Sequence, residues 1–192
     1  MEKELLLELK KIYEPIITVE DKVYEKLLPF LQVSNYPEKV ILKDFGEIET
    51  TARLILEGVV CQYELDKNNS KRATKIFLPN QNAMDMESYT DQINTNTMLL
   101  TKTDVCVIEL AKECEEDLLK RVPEVIPLAV KINHQLVKNL QKWEQLTKLP
   151  KVEAYNSLIS LYPNLGNILM VKDLQDLLGI SKTSLNRIRT SK

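Results

Sequence analysis

The sequence predicts an α+β fold: N-terminal helices, a β-roll of the jelly-roll (double-stranded β-helix) type, one long helix and a C-terminal helix-turn-helix. Three observations carry this. Residues 38–110 break into short β-rich runs separated by turn signals. From Pro123 to Leu149 apolar residues recur at helical spacing. From Met170 to Arg189 two short apolar faces flank a single glycine, Gly179.

Residues 2 to about 32 read as two helices. Leu5, Leu6, Leu9 and Ile12 form one stripe, and Val23, Leu27, Leu28 and Leu31 another; Pro15 separates them and Asp21 opens the second. The β-rich runs are Lys39–Lys43, Ala52–Glu57, Val59–Leu65, Ala73–Leu78, Met98–Leu100 and Val105–Leu110. Between them lie Asp44–Phe45–Gly46, Glu57–Gly58, the polar hairpin tip Asp66–Ser70, and Pro79–Asn82. Short strands at this spacing favour a sandwich or barrel. The polar stretch from Met84 to Thr97 reads as a solvated loop.

Helix returns after Lys112. Pro123 suits a helix start, and Pro150 ends the run. At about 1.5 Å per residue this helix spans roughly 40 Å. Ala129, Ile132, Leu136, Asn139, Trp143 and Leu146 step by three and four, as a coiled-coil seam does. Apolar positions cover more than one stripe, so one face is expected on the β-roll and this seam on a second copy, with Asn139 fixing register. Val152–Tyr162 makes a further helix. Pro163–Asn164 and a linker, Leu165–Ile168, follow it. The expected division is a sensor unit (1–115), a connecting and dimerisation helix (116–149) and a helix-turn-helix unit (150–192).

In that last unit Leu174, Leu177 and Leu178 share a face, Gly179 can close the helix in the left-handed region, and Ser181 can cap the next helix. Leu185 and Ile188 point back. Gln175 stands where a small residue usually lets the two helices approach, so its side chain must snorkel or loosen the crossing. The opposite face of the second helix carries Lys182, Asn186 and Arg189, with Thr183, Arg187 and Thr190 on the adjacent row and no acid. Such a face suits a DNA major groove, where Arg and Lys read guanine and Asn reads adenine. Lys182, Thr183, Asn186 and Arg187 are expected at base edges. Ser181, Ser184, Arg189 and Lys192 are expected at phosphates, which fix position rather than specificity. An amphipathic helix hairpin with a solvated basic face is the plainer reading of the same pattern.

Composition narrows the function. The 192 residues are 44% hydrophobic, enough for a substantial core, and the net charge is −2. From Pro150 onward Lys151, Lys172, Lys182, Arg187, Arg189 and Lys192 face only Glu153, Asp173 and Asp176, a net +3 that leaves −5 on the rest. An acidic body with a basic tip suits a regulator touching nucleic acid at one end. No apolar run approaches the roughly 20 residues of a membrane span. Glu2, Glu4 and Glu8 break up any signal-peptide core, so a cytoplasmic protein is expected. Cys61, Cys106 and Cys114 are too few and too scattered for a disulfide framework or an iron–sulfur cluster. His134 is the lone histidine, which argues against a haem sensor and against a metal-dependent enzyme on the same roll. No phosphate loop or nucleophile–base pair is present, so no catalytic role and no cofactor are expected.

Several strings carry a resemblance. They are Leu54–Ile55–Leu56–Glu57–Gly58–Val59–Val60, then Tyr155–Asn156–Ser157–Leu158 with Tyr162–Pro163, then Leu178–Gly179–Ile180–Ser181 with Leu185–Asn186–Arg187–Ile188–Arg189. Together with the order of elements they resemble the Crp/Fnr (cyclic AMP receptor protein) superfamily of transcription regulators, and the short C-terminus resembles its Bacteroidetes-like short forms. The resemblance implies a cyclic-nucleotide-binding-like roll and a homodimer on double-stranded DNA. Its half-sites would lie about one turn, ~34 Å, apart. RNA polymerase is a further candidate partner. In family members that bind cyclic nucleotide, a Phe-Gly-Glu segment and an Arg-Ser pair hold the ligand. Here the matching stretch is Met84–Tyr89 and then Ile93–Thr97, with no glycine and no arginine. A cyclic phosphate buried without a cation is costly, so cyclic nucleotide is not the expected effector. An unknown small molecule would find Glu87, Ser88, Thr95, Asn96 and Thr97, with Asn133, His134 and Lys138 of the long helix placed to couple. The second reading is a ligand-binding or protein-interaction dimer whose DNA reader is degenerate.

Overall fold

The computed structural model describes residues 2–162 and 164–190. Pro163 and the phosphate contact expected of Lys192 lie outside the described residues. Helices α1 (Glu2–Tyr13) and α2 (Asp21–Leu27) lead through a 3-10 turn, Leu28–Phe30, into the first strand. One antiparallel sheet has the order β1 (Leu31–Tyr36), β8 (Val105–Ala111), β3 (Thr51–Glu57), β6 (Asn82–Ala83). The other has the order β2 (Ile41–Lys43), β7 (Thr97–Thr101), β4 (Val60–Leu65), β5 (Lys71–Phe77). Helix α3 (Met86–Asp91) lies between β6 and β7.

Strand alternation sorts the core into layers. Ile55, Val105 and Val107 of the first sheet meet Val60, Phe77 and Leu99 of the second inside the roll. Leu54 and Ile108, paired across β3 and β8, point outward and pack with Leu9, Tyr13, Val23, Tyr24 and Leu27. The outward residues of the second sheet, Cys61, Tyr63, Ala73, Ile76 and Met98, are buried by the C-terminal helices.

Two expectations change. The helix expected to residue 32 stops early: Pro29 sits in the 3-10 turn, and from Leu31 the chain pairs with β8 in register Leu31↔Leu110 to Tyr36↔Val105. The stretch read as break and loop also contains structure. Asn82–Ala83 pairs with β3, and Asp85 caps α3 by accepting a hydrogen bond from the Ser88 amide at 3.4 Å.

After β8 come α4 (Lys112–Arg121), α5 (Ile126–Lys148), α6 (Lys151–Leu161), α7 (Leu165–Ile168), α8 (Val171–Leu178) and α9 (Lys182–Thr190). The segment read as a linker is α7. Helix α5 runs along both outer layers. Leu128 and Ile132 join the cluster beneath α1 and α2, while Trp143 and Leu146 join the cluster on the second sheet. The Trp143 indole N–H donates to the Thr74 carbonyl at 3.0 Å. The stripe expected as an intermolecular seam is therefore turned into its own chain: Ala129, Ile132, Leu136, Asn139 and Trp143 are half-buried and Leu146 is buried. A different stripe is open to solvent, with Ile126, Val130, Val137 and Leu140 each 45–52% exposed. These four also step at heptad spacing, with Asn133 between them.

Gly58 shows why the Glu–Gly hairpin between β3 and β4 is constrained. Its φ is +91°, and a Cβ there would stand 2.3 Å from the Asp104 carbonyl oxygen. Gly46, at φ +74°, has open space around it. In urea unfolding Gly58→Ala is expected to cost about 2–4 kcal/mol and Gly46→Ala about 1 kcal/mol. Equal costs at the two sites would refute a steric role for Gly58.

Candidate functional site

The C-terminal helix pair is built from local signals. Gly179 ends α8 at φ 59°, ψ 46°, the left-handed conformation open to glycine. The Ile180 amide donates to the Gln175 carbonyl at 3.1 Å, and Lys151 Nζ donates to the Leu178 carbonyl at 2.8 Å. A cation at that end also favours the helix dipole. Ser181 Oγ accepts from the Ser184 amide at 3.1 Å, capping α9. Leu185 and Ile188 return to Leu174, Leu177 and Leu178 in one buried cluster. Burial of a leucine such as Leu174 contributes about 1.5–3 kcal/mol. Gln175 is half-buried at the rim of an open hollow beside Asp66 and Arg72, where a long polar side chain is accommodated.

The outward face of α9 carries Lys182, Thr183, Asn186, Arg187 and Thr190, all exposed. Ser181 is exposed and Ser184 half-buried at its start. Arg189 is placed differently from the expectation. Its Nη2 donates to the Gly166 carbonyl at 3.0 Å and its Nε to the Tyr155 hydroxyl at 3.4 Å, so its guanidinium braces α9 against α6 and α7.

The helix pair is fastened to the roll by a buried polar cluster. Asp173, 1% exposed, accepts from the Tyr63 hydroxyl at 2.9 Å, from Lys102 Nζ at 2.8 Å and from the Met170 amide at 3.2 Å. Lys102 Nζ also donates to the Tyr63 oxygen at 3.1 Å. Burial, then the neighbouring Cys61 and Asp173, push the Tyr63 phenol far above its ordinary pKa, so it stays a donor. Burial likewise pushes the Cys61 thiol up to about 12, which makes it an inert core residue. Two further bonds join α8 to the roll: the Ala73 amide to Asp176 Oδ2 at 3.3 Å, and Lys172 Nζ to the Lys71 carbonyl at 3.1 Å. The sequence pattern gives no sign of this cluster beyond Asp173 in the first turn of a helix.

The roll interior holds two other buried cations, each ion-paired, that sequence reasoning missed. Lys43, 3% exposed, lies 3.1 Å from Asp85 and donates to Thr95 Oγ1 and the Thr97 carbonyl, each at 2.8 Å. Arg53, 6% exposed, donates to Glu49 at 3.0 and 3.2 Å, and its Nε lies 3.3 Å from Glu109. That second contact is an ion pair without hydrogen-bond alignment, which leaves Arg53 Nε without a hydrogen-bond partner.

The residues expected to form an effector pocket are dispersed. Ser88 is buried, accepting from the Glu49 amide at 2.8 Å and donating to the Ile93 carbonyl at 2.6 Å. Thr95 donates to Asp85, and Thr97 is buried beside Lys43. Glu87, Asn96, His134 and Lys138 are exposed. Asn133, also exposed, borders an apolar cavity under α1 that the other seven do not line. Among the described residues no group of three or more His, Cys, Asp or Glu is placed to hold a metal ion.

No family model and no curated protein matches the sequence. Solved structures do match the fold, which defines a class: two antiparallel sheets rolled together with flanking helices, as in cyclic-nucleotide-binding domains. One such domain, from Methylobacillus flagellatus, superposes with TM-score 0.64 at 15% identity, covering 84% of this chain and 85% of that one. More particularly, the same fold is shared with solved bacterial regulators. The c-di-GMP-responsive global regulator CLP of Xanthomonas campestris matches with TM-score 0.67 at 17% identity, covering 90% of this chain and 91% of that one. The catabolite activator protein of Thermus thermophilus matches with TM-score 0.51 at 18% identity, covering 88% and 82%.

Asp173→Ala leaves Lys102 buried without its anion and is expected to cost about 3–5 kcal/mol. Amide exchange should rise in α8 and α9 while β7 and β8 stay protected. The double replacement Asp173→Leu with Lys102→Met should recover much of that loss. Uniform loss of protection across the roll would refute a local fastening role.

Proposed function

We propose that this chain is a homodimeric, sequence-specific DNA-binding transcription regulator of the Crp/Fnr type, acting in the cytoplasm and without catalytic activity. The observation that carries the reading is the exposed face of α9. Lys182, Thr183, Asn186 and Arg187 stand on it in two adjacent rows, with no acid. Residues 150–192 then form the helix-turn-helix reader, 116–149 the dimerisation helix and 1–115 the sensor. Base edges fall to Lys182, Thr183, Asn186 and Arg187, and phosphate contacts to Ser181, Ser184 and Lys192. Arg189 leaves the phosphate set because its guanidinium is used within the chain.

Dimerisation is assigned to the exposed stripe Ile126, Val130, Val137 and Leu140 of α5 rather than to the stripe buried on the roll. Apolar positions in this register, with a polar residue between them, suit a two-stranded seam. In that arrangement two readers face half-sites about 34 Å apart. Cyclic nucleotide is a poor fit for the effector. The buried cations Lys43 and Arg53 are already neutralised by Asp85 and Glu49, so a cyclic phosphate would have to displace an internal anion.

Selection of random duplex DNA at two salt concentrations tests the reading. A two-fold symmetric site is expected, with affinity falling steeply as salt rises. Arg187→Ala should cost about 1–3 kcal/mol and relax preference at one base position. An equal loss on every sequence would count against base reading, and absence of any enriched site would overturn the assignment. In sedimentation, Val137→Asp should convert dimer to monomer with the roll still folded. An unchanged mass would move the interface elsewhere.

A further inference from the structure

Beneath α1, on the outward face of the first sheet, lies a cavity of about 370 Å³. Leu9, Leu54, Ile108, Leu118 and Leu128 supply much of its wall, so it is closed by α1, α4 and α5 as well as by the sheet. It is separate from the roll interior, where Lys43 and Arg53 are paired. Its size is ordinary for a small-molecule site, and a cavity with this lining is mostly apolar.

Its polar groups select the chemistry. Tyr89 lines the cavity, is 5% exposed, and its hydroxyl has no hydrogen-bond partner among the described residues. A buried hydroxyl without a partner is unfavourable, and one that stays protonated is a donor awaiting an acceptor. Burial, with the Glu115 and Glu49 carboxylates nearby, raises the Tyr89 pKa and keeps the proton on. Charge in the wall is already balanced. Lys112 lies 2.5 Å from Glu115, and its ammonium stands 4.5 Å from the centre of the Tyr89 ring. An anionic ligand would have to break that pair, and a cationic one would be buried without an anion of its own.

We propose that this cavity binds a small, uncharged, largely apolar molecule carrying one hydrogen-bond acceptor, which the Tyr89 hydroxyl meets. The site touches α5 directly, through Ala129 and Leu136. These residues neighbour the exposed Val130 and Val137 on the same helix. Occupancy is thus coupled to the helix carrying the proposed dimer stripe, to the extent that the ligand prefers one placement of α5 over another.

Calorimetric titration of the full chain with 2-nonanone, nonanoate and nonane-1-ammonium tests the proposal without reference to DNA, so its outcome is independent of the regulatory reading. The ketone is expected to bind one site per chain, and the two ions at least about tenfold more weakly. Tyr89→Phe keeps the ring and removes the hydroxyl; it should weaken the ketone about fivefold, the share of one hydrogen bond. Ala129→Phe should fill the cavity and abolish binding, with circular dichroism checking that the roll is intact. Ketone affinity unchanged in both variants, or no ketone binding at its solubility limit, would overturn the site. Tighter binding of either ion would overturn the uncharged class.

Discussion

The arrangement of the molecule depends on one buried carboxylate. Asp173 sits in the first turn of α8, yet three donors converge on it, and two of them, Tyr63 and Lys102, come from the roll. A carboxylate taken out of water is costly unless such partners compensate it. The compensation here requires that α8 lie against the second sheet. Apolar packing alone, being non-directional, would let the helix pair slide on that sheet. The polar cluster admits one register. Leu174, Leu177 and Leu178 then fall beside residues of β4 and β5, and one core runs from the sheet through α6 to α9.

Helix α5 is the second organising element, because it contacts both outer layers. Its first half closes the apolar cavity under α1, and its second half is pinned to β5 by Trp143. A helix apolar on more than one side has to divide its faces between partners. The chain's own sheets take Leu128, Ile132, Trp143 and Leu146, and the remainder is left outside.

That division explains what the sequence could and could not disclose. The C-terminal pair was legible because its signals are local: a glycine at a helix end, a serine cap, and leucines within a few turns of one another. Apart from the short β6, the strands from Thr51 to Ala111 were legible from alternation and turns. The two stripes on α5 share the same spacing, and periodicity does not say which side a sheet some tens of residues earlier will occupy. The stripe that the sequence marks as a seam is therefore one that its own chain largely covers. Strand β1 was absorbed into the preceding helix because Leu31 continues the stripe of Val23, Leu27 and Leu28. Lys43, Arg53 and Lys102 look like surface residues in sequence. Their anions are Asp85, Glu49 with Glu109, and Asp173, and of these only Glu49 lies near its cation in the chain. Long-range ion pairs leave no periodic mark. The dispersed polar residues from Glu87 to Thr97 suggested a pocket by composition, whereas most of their hydrogen bonds serve α3 and the loop around it.

The length of α5 has a mechanical consequence. Its 23 residues make a rod about 34 Å long, gripped at one end by the helices over the first sheet and at the other by β5. A rod held at both ends resists tilting. A tilt of about 5° about the cavity end would carry the far end roughly 3 Å, enough to break the Trp143 bond to Thr74. The far end leads within two residues into α6, whose Tyr155 hydroxyl meets the arginine at the end of α9. The packing beneath α1, the second sheet and the helices that follow are thus tied to a single rigid element.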